Sequence, residues 1–136
     1  MKIVVDTNRI IASMIKDSIS KKILFNKSFE FVCPDYSLVE INKYKEEIIS
    51  KANIKHEEFE ILLSLIFEQI LIVPQQDYEN FLEEAKKLIG DTDIDDVSFI
   101  AVALALKVDG IWSDDPHFLG QNKVRIFKTK EMVNLI

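Results

Sequence analysis

Glycine and proline are scarce in this chain of 136 residues, with three of each, and Gly90, Gly110 and Gly120 are too dispersed to form a Gly-rich loop that cradles phosphate or a dinucleotide. The single cysteine, Cys33, rules out an internal disulfide and a cysteine-based zinc pattern; at the end of an apolar run it reads as a small core residue. No apolar run approaches the roughly 20 residues of a membrane span. The start, Met1-Lys2-Ile3-Val4-Val5-Asp6, turns acidic too soon for a signal peptide, so the expectation is a cytoplasmic protein with no membrane association. Basic residues are outnumbered, 17 Lys and Arg against 23 Asp and Glu for a net charge of −6, which argues against holding nucleic acid on a generally basic surface.

What is present is a globular composition, 48% apolar and 29% charged, in a length that suits one domain with a two- or three-layer core. Periodicity and breakers predict strands at 2–5, 29–33, 70–73, 110–113 and 124–127. Helices are predicted at 8–15, 18–27, 35–51, 55–69, 77–89, 95–107 and 129–135. Pro34 follows Phe31-Val32-Cys33, Pro74 closes Leu71-Ile72-Val73, and Gly90 stops a helix that Asp77 caps. Strands apolar throughout and alternating with helices imply an α/β fold, a mostly parallel central sheet with helices on both faces. Helix 95–107 carries Val97, Phe99, Ile100, Ala101, Val102, Ala103, Leu104, Ala105 and Leu106, leaving almost no polar face, so it is expected near the centre.

Against this frame, carboxylates recur at Asp6, Glu40, Asp93-x-Asp95-Asp96 and Asp114-Asp115. Asp6 ends one apolar strand and Asp114 follows another, at the edge where open α/β sheets build sites. Acids in the first turn of helix 95–107 gain about 0.3–1 kcal/mol each from the helix dipole, but capping accounts for one or two of them, not for four Asp within residues 91–96. Glu40 lies among Lys43, Lys45, Glu46 and Glu47, where pairing with Lys43 is the ordinary reading. Asp115-Pro116 also reads as a turn opener.

Carboxylates converging in one pocket repel each other and call for protons or cations. Mg²⁺ and Mn²⁺ take oxygen ligands and keep several waters, so a few carboxylates suffice. One or two such ions suit phosphodiester hydrolysis, activating a water and stabilising the leaving oxygen without a Ser, Cys or His nucleophile. Two of them would take the charge balance from −6 to about −2. His56 reads as a surface residue; His117, near Asp114, is a candidate substrate contact whose ordinary reading is also a surface histidine. Lys123, Arg125, Lys128 and Lys130 form a basic stretch that can contact an RNA backbone or simply face solvent.

Asp6-Thr7-Asn8 after the first strand, Glu40 within Pro34-Asp35-Tyr36-Ser37-Leu38-Val39-Glu40-Ile41, Asp93-Ile94-Asp95-Asp96 leading into Phe99-Ile100-Ala101-Val102-Ala103-Leu104, and Ser113-Asp114 after Ile111-Trp112 together resemble the acidic motifs of PIN domains. The resemblance covers essentially the whole chain. It implies a three-layer α/β/α sandwich and a Mg²⁺- or Mn²⁺-dependent endoribonuclease, as in the VapC-type toxins of type II toxin–antitoxin pairs. It also implies Asp6, Glu40, Asp96 and Asp114 as the catalytic, metal-holding quartet, with Asp93 as a reserve ligand. The interval to Ala101-Val102-Ala103-Leu104 in the family selects Asp96 over Asp95. Either member of the Asp114-Asp115 doublet can point inward; the alignment of Ser113-Asp114 favours Asp114. Thr7, Asn8, Ser113 and Asp115 are expected to orient waters or carboxylates around the ligands. Partners implied are an RNA substrate, an antitoxin protein and a second copy of the chain in a homodimer, with Phe59, Leu62, Leu63, Ile66 and Phe67 available either to such a partner or to the core.

Other readings fit less of the sequence. A haloacid dehalogenase-type phosphatase needs a second Asp where Asn8 stands and gives Glu40 no role. An EF-hand starting at Asp91 fails, with Asp96 at its sixth position and Val102 at its twelfth. A PIN-like module that binds RNA or protein without cutting is the alternative from another class, against which the intact quartet argues.

Overall fold

The computed structural model describes residues 1–15, 18–90 and 94–136. Five parallel strands, β1 (Lys2–Val5), β2 (Glu30–Pro34), β3 (Ile70–Val73), β4 (Gly110–Trp112) and β5 (Ile126–Phe127), form one sheet in the order β3-β2-β1-β4-β5. Between them run α1 (Thr7–Ile15), α2 (Ser18–Leu24), α3 (Tyr36–Lys43), α4 (Lys45–Ala52), α5 (His56–Phe67), α6 (Leu82–Ile89) and α7 (Ile94–Leu106), and α8 (Thr129–Asn134) follows β5.

Strand alternation divides the core into two slabs. Ile3, Val5, Phe31, Cys33, Ile70 and Trp112 face one side with Ile10, Ile23, Ile41, Ile48, Phe59 and Met132 from α1–α5 and α8. Val4, Val32, Val73 and Ile111 face the other, against Val97, Ile100 and Ala101 of α7 and Ala85 of α6. The result is the expected three-layer α/β/α sandwich. Helix α7 is as central as its composition demands: Val97, Phe99, Ile100, Ala101 and Val102 are all nearly or fully buried. Gly110 opens β4 where only glycine fits, since a Cβ there would stand 2.5 Å from the Phe127 ring and 2.6 Å from the Arg125 carbonyl. Gly90 ends α6 at φ 79°, as the sequence predicts.

Four boundaries differ most from expectation. The helix expected over 35–51 breaks at Tyr44 (φ −99°, ψ 11°) into α3 and α4; no Gly or Pro marks the break, which lets both α3 and α4 pack against α1. The helix expected over 77–89 begins only at Leu82. Residues Gln75–Asp77 and Glu79–Phe81 are single 3₁₀ turns, pinned because Asp35 accepts the Gln75 N–H at 3.1 Å and the Tyr78 hydroxyl at 2.8 Å. Helix α2 stops at Leu24, with Asn26 accepting the Ser28 N–H at 2.9 Å in a turn that leads into β2. Strand β5 shrinks to two residues because the Gln121 amide bonds the Val124 backbone at both ends, each at 2.8 Å, using groups a strand would need. Within α5, Phe59 and Ile66 are buried and Leu62, Leu63 and Phe67 pack on the same core, so these side chains serve the fold; Ile61 and Leu65 are the exposed apolar ones of that helix.

Candidate active site at the carboxyl edge of the sheet

The chain leaves β1 in one direction to build β2 and β3 and returns to the other side of β1 for β4 and β5, so the strand order reverses between β1 and β4. Such a switch point opens a crevice above the carboxyl ends of the strands. Asp6 stands there, 6% exposed. Its backbone is fixed by N–H donation to the Trp112 carbonyl at 3.1 Å and by accepting the Arg9 N–H at 2.9 Å as α1 begins. Its side chain accepts the Ser113 hydroxyl at 2.7 Å and the Asn8 N–H at 3.4 Å. Burial raises the Asp6 carboxyl above its ordinary value of 3.8, the Ser113 and Asn8 hydrogen bonds oppose the rise, and the negative charge of Asp115 adds to it.

Ser113 joins two acids. Besides donating to Asp6, its hydroxyl oxygen accepts the Asp115 N–H at 3.0 Å. Asp115 then accepts the His117 N–H at 2.9 Å and so opens the 3₁₀ turn Pro116–Gly120, the turn its Asp-Pro sequence predicts. The same carboxylate comes together with Asp96 from the first turn of α7 and with His117: one ligand atom of each lies within 4.8 Å of the others. His117 Nδ1 is 3.4 Å from Asp115 Oδ1 and 3.6 Å from Asp96 Oδ2. Asp114 points elsewhere. It accepts the Thr129 N–H at 2.8 Å and the Thr129 hydroxyl at 2.6 Å, and the Arg9 guanidinium lies 3.0 Å away. Thr129 also receives the Trp112 indole N–H at 3.0 Å, so Asp114 ties the start of α8 to β4 and α1.

Glu40 reaches the site from α3. The Thr7 hydroxyl is 2.8 Å from Glu40 Oε1 and 2.9 Å from Ser37 Oγ; a carboxylate only accepts, so Thr7 donates to it. This contact across 33 residues is what charge spacing along the helix does not reveal. Asn8 is exposed in the first turn of α1. Asp93 and the side chain of Asp95 lie outside the described residues. His56 is a surface partner of Glu46 at 3.0 Å.

The basic stretch divides between two edges of the sheet. Lys123 pairs with Glu84 and Arg125 lies over the Phe127 ring, 4.3 Å from its centroid, and both precede β5 at the edge opposite the acids. Lys128 follows β5 and stands exposed at the start of α8, on the acidic edge. The sequence offers His117 as a candidate substrate contact; the structure sets it beside Asp96 and Asp115 instead, because the 3₁₀ turn that Asp115 opens folds it back toward α7.

The donor set suits a hard divalent cation. Carboxylate oxygens dominate, one imidazole joins them, and a buried Asp6 is already raised by a like charge that a cation would offset. Asp96, Asp115 and His117 are the cluster that would hold it among the described residues, with Asp6 joined through Ser113. No curated protein matches the chain. A model of the PIN domain matches residues 4–134, a span that runs from β1 into α8 and takes in every acid described above. PIN domains are generally nucleases that work with divalent metal, and this chain belongs to the PIN domain family.

Proposed function

We propose that the protein is a divalent-cation-dependent endoribonuclease, working with one or two Mg²⁺ or Mn²⁺ ions, and that it acts in the cytoplasm as the toxin of a type II toxin–antitoxin pair. The observation that carries the nuclease reading is the meeting of Asp96, Asp115 and His117 beside Asp6 at the switch point of the sheet. In this reading Asp6, Glu40, Asp96 and Asp115 hold the ions, with Asp93 as a further ligand, and Asp114 acts through the Arg9–Thr129 clamp that sets the loop after β4. Bound there, a divalent ion supplies an activated water and neutralises charge on the phosphate.

The chain's own residues do the rest. Ser113 orients Asp6 and Asp115 together, Thr7 fixes Glu40, and Asn8 donates its N–H to Asp6. Lys128 meets the RNA backbone from the α8 side, with Lys123 and Arg125 reaching more distal phosphates. An antitoxin or a second copy of the chain would cover exposed apolar side chains such as Ile61 and Leu65. Among the described residues no helix is long and apolar enough to cross a membrane.

The test is incubation of purified protein with structured and single-stranded RNAs in Mg²⁺, Mn²⁺ or EDTA, beside Asp6→Asn and Asp96→Asn. Metal-dependent cutting lost in both variants is expected. No cutting in either metal, together with no heat of metal binding by calorimetry, would overturn the assignment.

A further inference from the structure

A cleft of about 290 Å³ lies at the carboxyl ends of β2 and β3, lined by Asp35, Tyr36, Val39, Gln75, Tyr78, Leu82 and Ser98. Two of its walls come from helices that also carry acids: Val39 precedes Glu40 on α3, and Ser98 lies two residues beyond Asp96 on α7. Neighbouring strands are about 4.8 Å apart, so the ends of β2 and β3 stand roughly 5–10 Å from that of β1. That is the distance from a phosphate to a base of the same or the next nucleotide.

The lining has the chemistry of a base site rather than a phosphate site. Tyr36, Val39 and Leu82 supply an aromatic ring and aliphatic surface. The one charged wall, Asp35, is negative and repels a phosphate, while its oxygens accept N–H groups. Its carboxylate is held still by the Tyr78 hydroxyl at 2.8 Å and the Gln75 N–H at 3.1 Å, and Tyr78 is in turn bonded to Ser98. Each carboxylate oxygen keeps a second lone pair for a ligand. The volume is at the low end for ligand pockets, room for one base and not for a folded RNA element. Single-stranded RNA is read by such pockets, with splayed bases stacked on aromatic side chains and hydrogen-bonded at their edges.

We propose that this cleft binds one unpaired nucleobase of the RNA adjacent to the phosphate at the acids, stacked on Tyr36 and hydrogen-bonded through its N–H edge to Asp35. The proposal rests on the nuclease reading above.

The experiment is an abasic scan. Fluorescein-labelled hexauridylate, and copies with a single abasic position moved along the strand, are titrated by anisotropy in Mg²⁺ with the full chain carrying Asp6→Asn to stop turnover. One abasic position is expected to weaken binding by ~10-fold. That dependence is expected to vanish when Tyr36→Ala or Val39→Trp is added; Val39 is 58% exposed, so a larger side chain there fills the cleft without entering the core. A flat scan, or a position dependence that survives in both variants, overturns the subsite. Failure of the wild-type chain to cut RNA in Mg²⁺ or Mn²⁺ strikes the nuclease reading instead, and the scan still reports on the cleft.

Discussion

The Ser113 hydroxyl donates to the Asp6 carboxylate at 2.7 Å, a buried bond between residues 107 apart in the chain. It fastens the ends of β1 and β4 at the point where the strand order reverses. Because Ser113 also accepts the Asp115 N–H, one hydroxyl positions two acids, and its geometry is set by the sheet rather than by a flexible loop.

Asp6 makes the metal-free protein sensitive to pH. Its carboxyl is raised by burial above the ordinary 3.8, so folding favours the protonated form. The stability it contributes is full below 3.8 and is lost as pH climbs through the raised folded value. At neutral pH in EDTA, Asp6→Asn should melt higher than wild type, by a few degrees for each kcal/mol recovered, with the gap closing toward about pH 4. Cleavage should fall by more than ~100-fold, beyond the usual effect of a group that only orients a ligand. Differential scanning fluorimetry across pH and an RNA cleavage assay read the two effects; a variant less stable than wild type at every pH would contradict the charge argument.

Thr7 is expected to matter through Glu40. Thr7→Val keeps the volume and removes the hydroxyl 2.8 Å from Glu40 Oε1. Metal affinity should drop by about 10–100-fold and stability by ~1 kcal/mol, while Thr7→Ser restores both. Calorimetric titration with Mn²⁺ and chemical denaturation measure them; unchanged metal affinity in Thr7→Val would detach Glu40 from the ions.

The doublet after β4 should separate cleanly. Asp115→Asn removes a charge from the cluster with Asp96 and is expected to lower cleavage by at least ~100-fold with the melting temperature near wild type. Asp114→Asn weakens the hold on Thr129 and Arg9; at 40% exposure the loss should be about 1 kcal/mol of stability, with a smaller effect on cleavage. The reverse ordering of the two cleavage rates would return Asp114 to the ion-holding set.

His117 should tune metal choice. An imidazole nitrogen favours Mn²⁺ over Mg²⁺ more than a carboxylate does, and His117 Nδ1 sits within 3.6 Å of both Asp96 and Asp115 oxygens. His117→Ala is expected to shrink the ratio of Mn²⁺ to Mg²⁺ affinity by about tenfold. An unchanged ratio would make His117 a neighbour of the cluster and not a ligand.

The basic residues should part by edge. Lys128→Ala is expected to weaken RNA binding and reduce the dependence of log K on log salt by about one. Lys123→Ala, which breaks the pair with Glu84 at the far edge, should change the slope less. Equal slopes for the two variants would mean the RNA path crosses both edges.

By itself the sequence determined the layered architecture and marked the acids as candidates for the site. Apolar strands alternating with helices leave only a parallel sheet covered on both faces, and residues such as Ile100, Ala101 and Val102 place α7 against it whatever the details. Hydrophobic period is a local property, so it survives reading along the chain. The tertiary structure decided direction and partnership. Asp114 and Asp115 are adjacent and chemically alike, and which one turns toward Asp96 depends on Thr129, Arg9 and Ser113, partners brought near only by the order of the strands. Glu40 looked like one charge among many until α3 packed against α1 and set it against Thr7. The 3₁₀ turns held by Asp35 have the same origin: a hydrogen bond between distant segments outweighs the small local preference that the sequence displays.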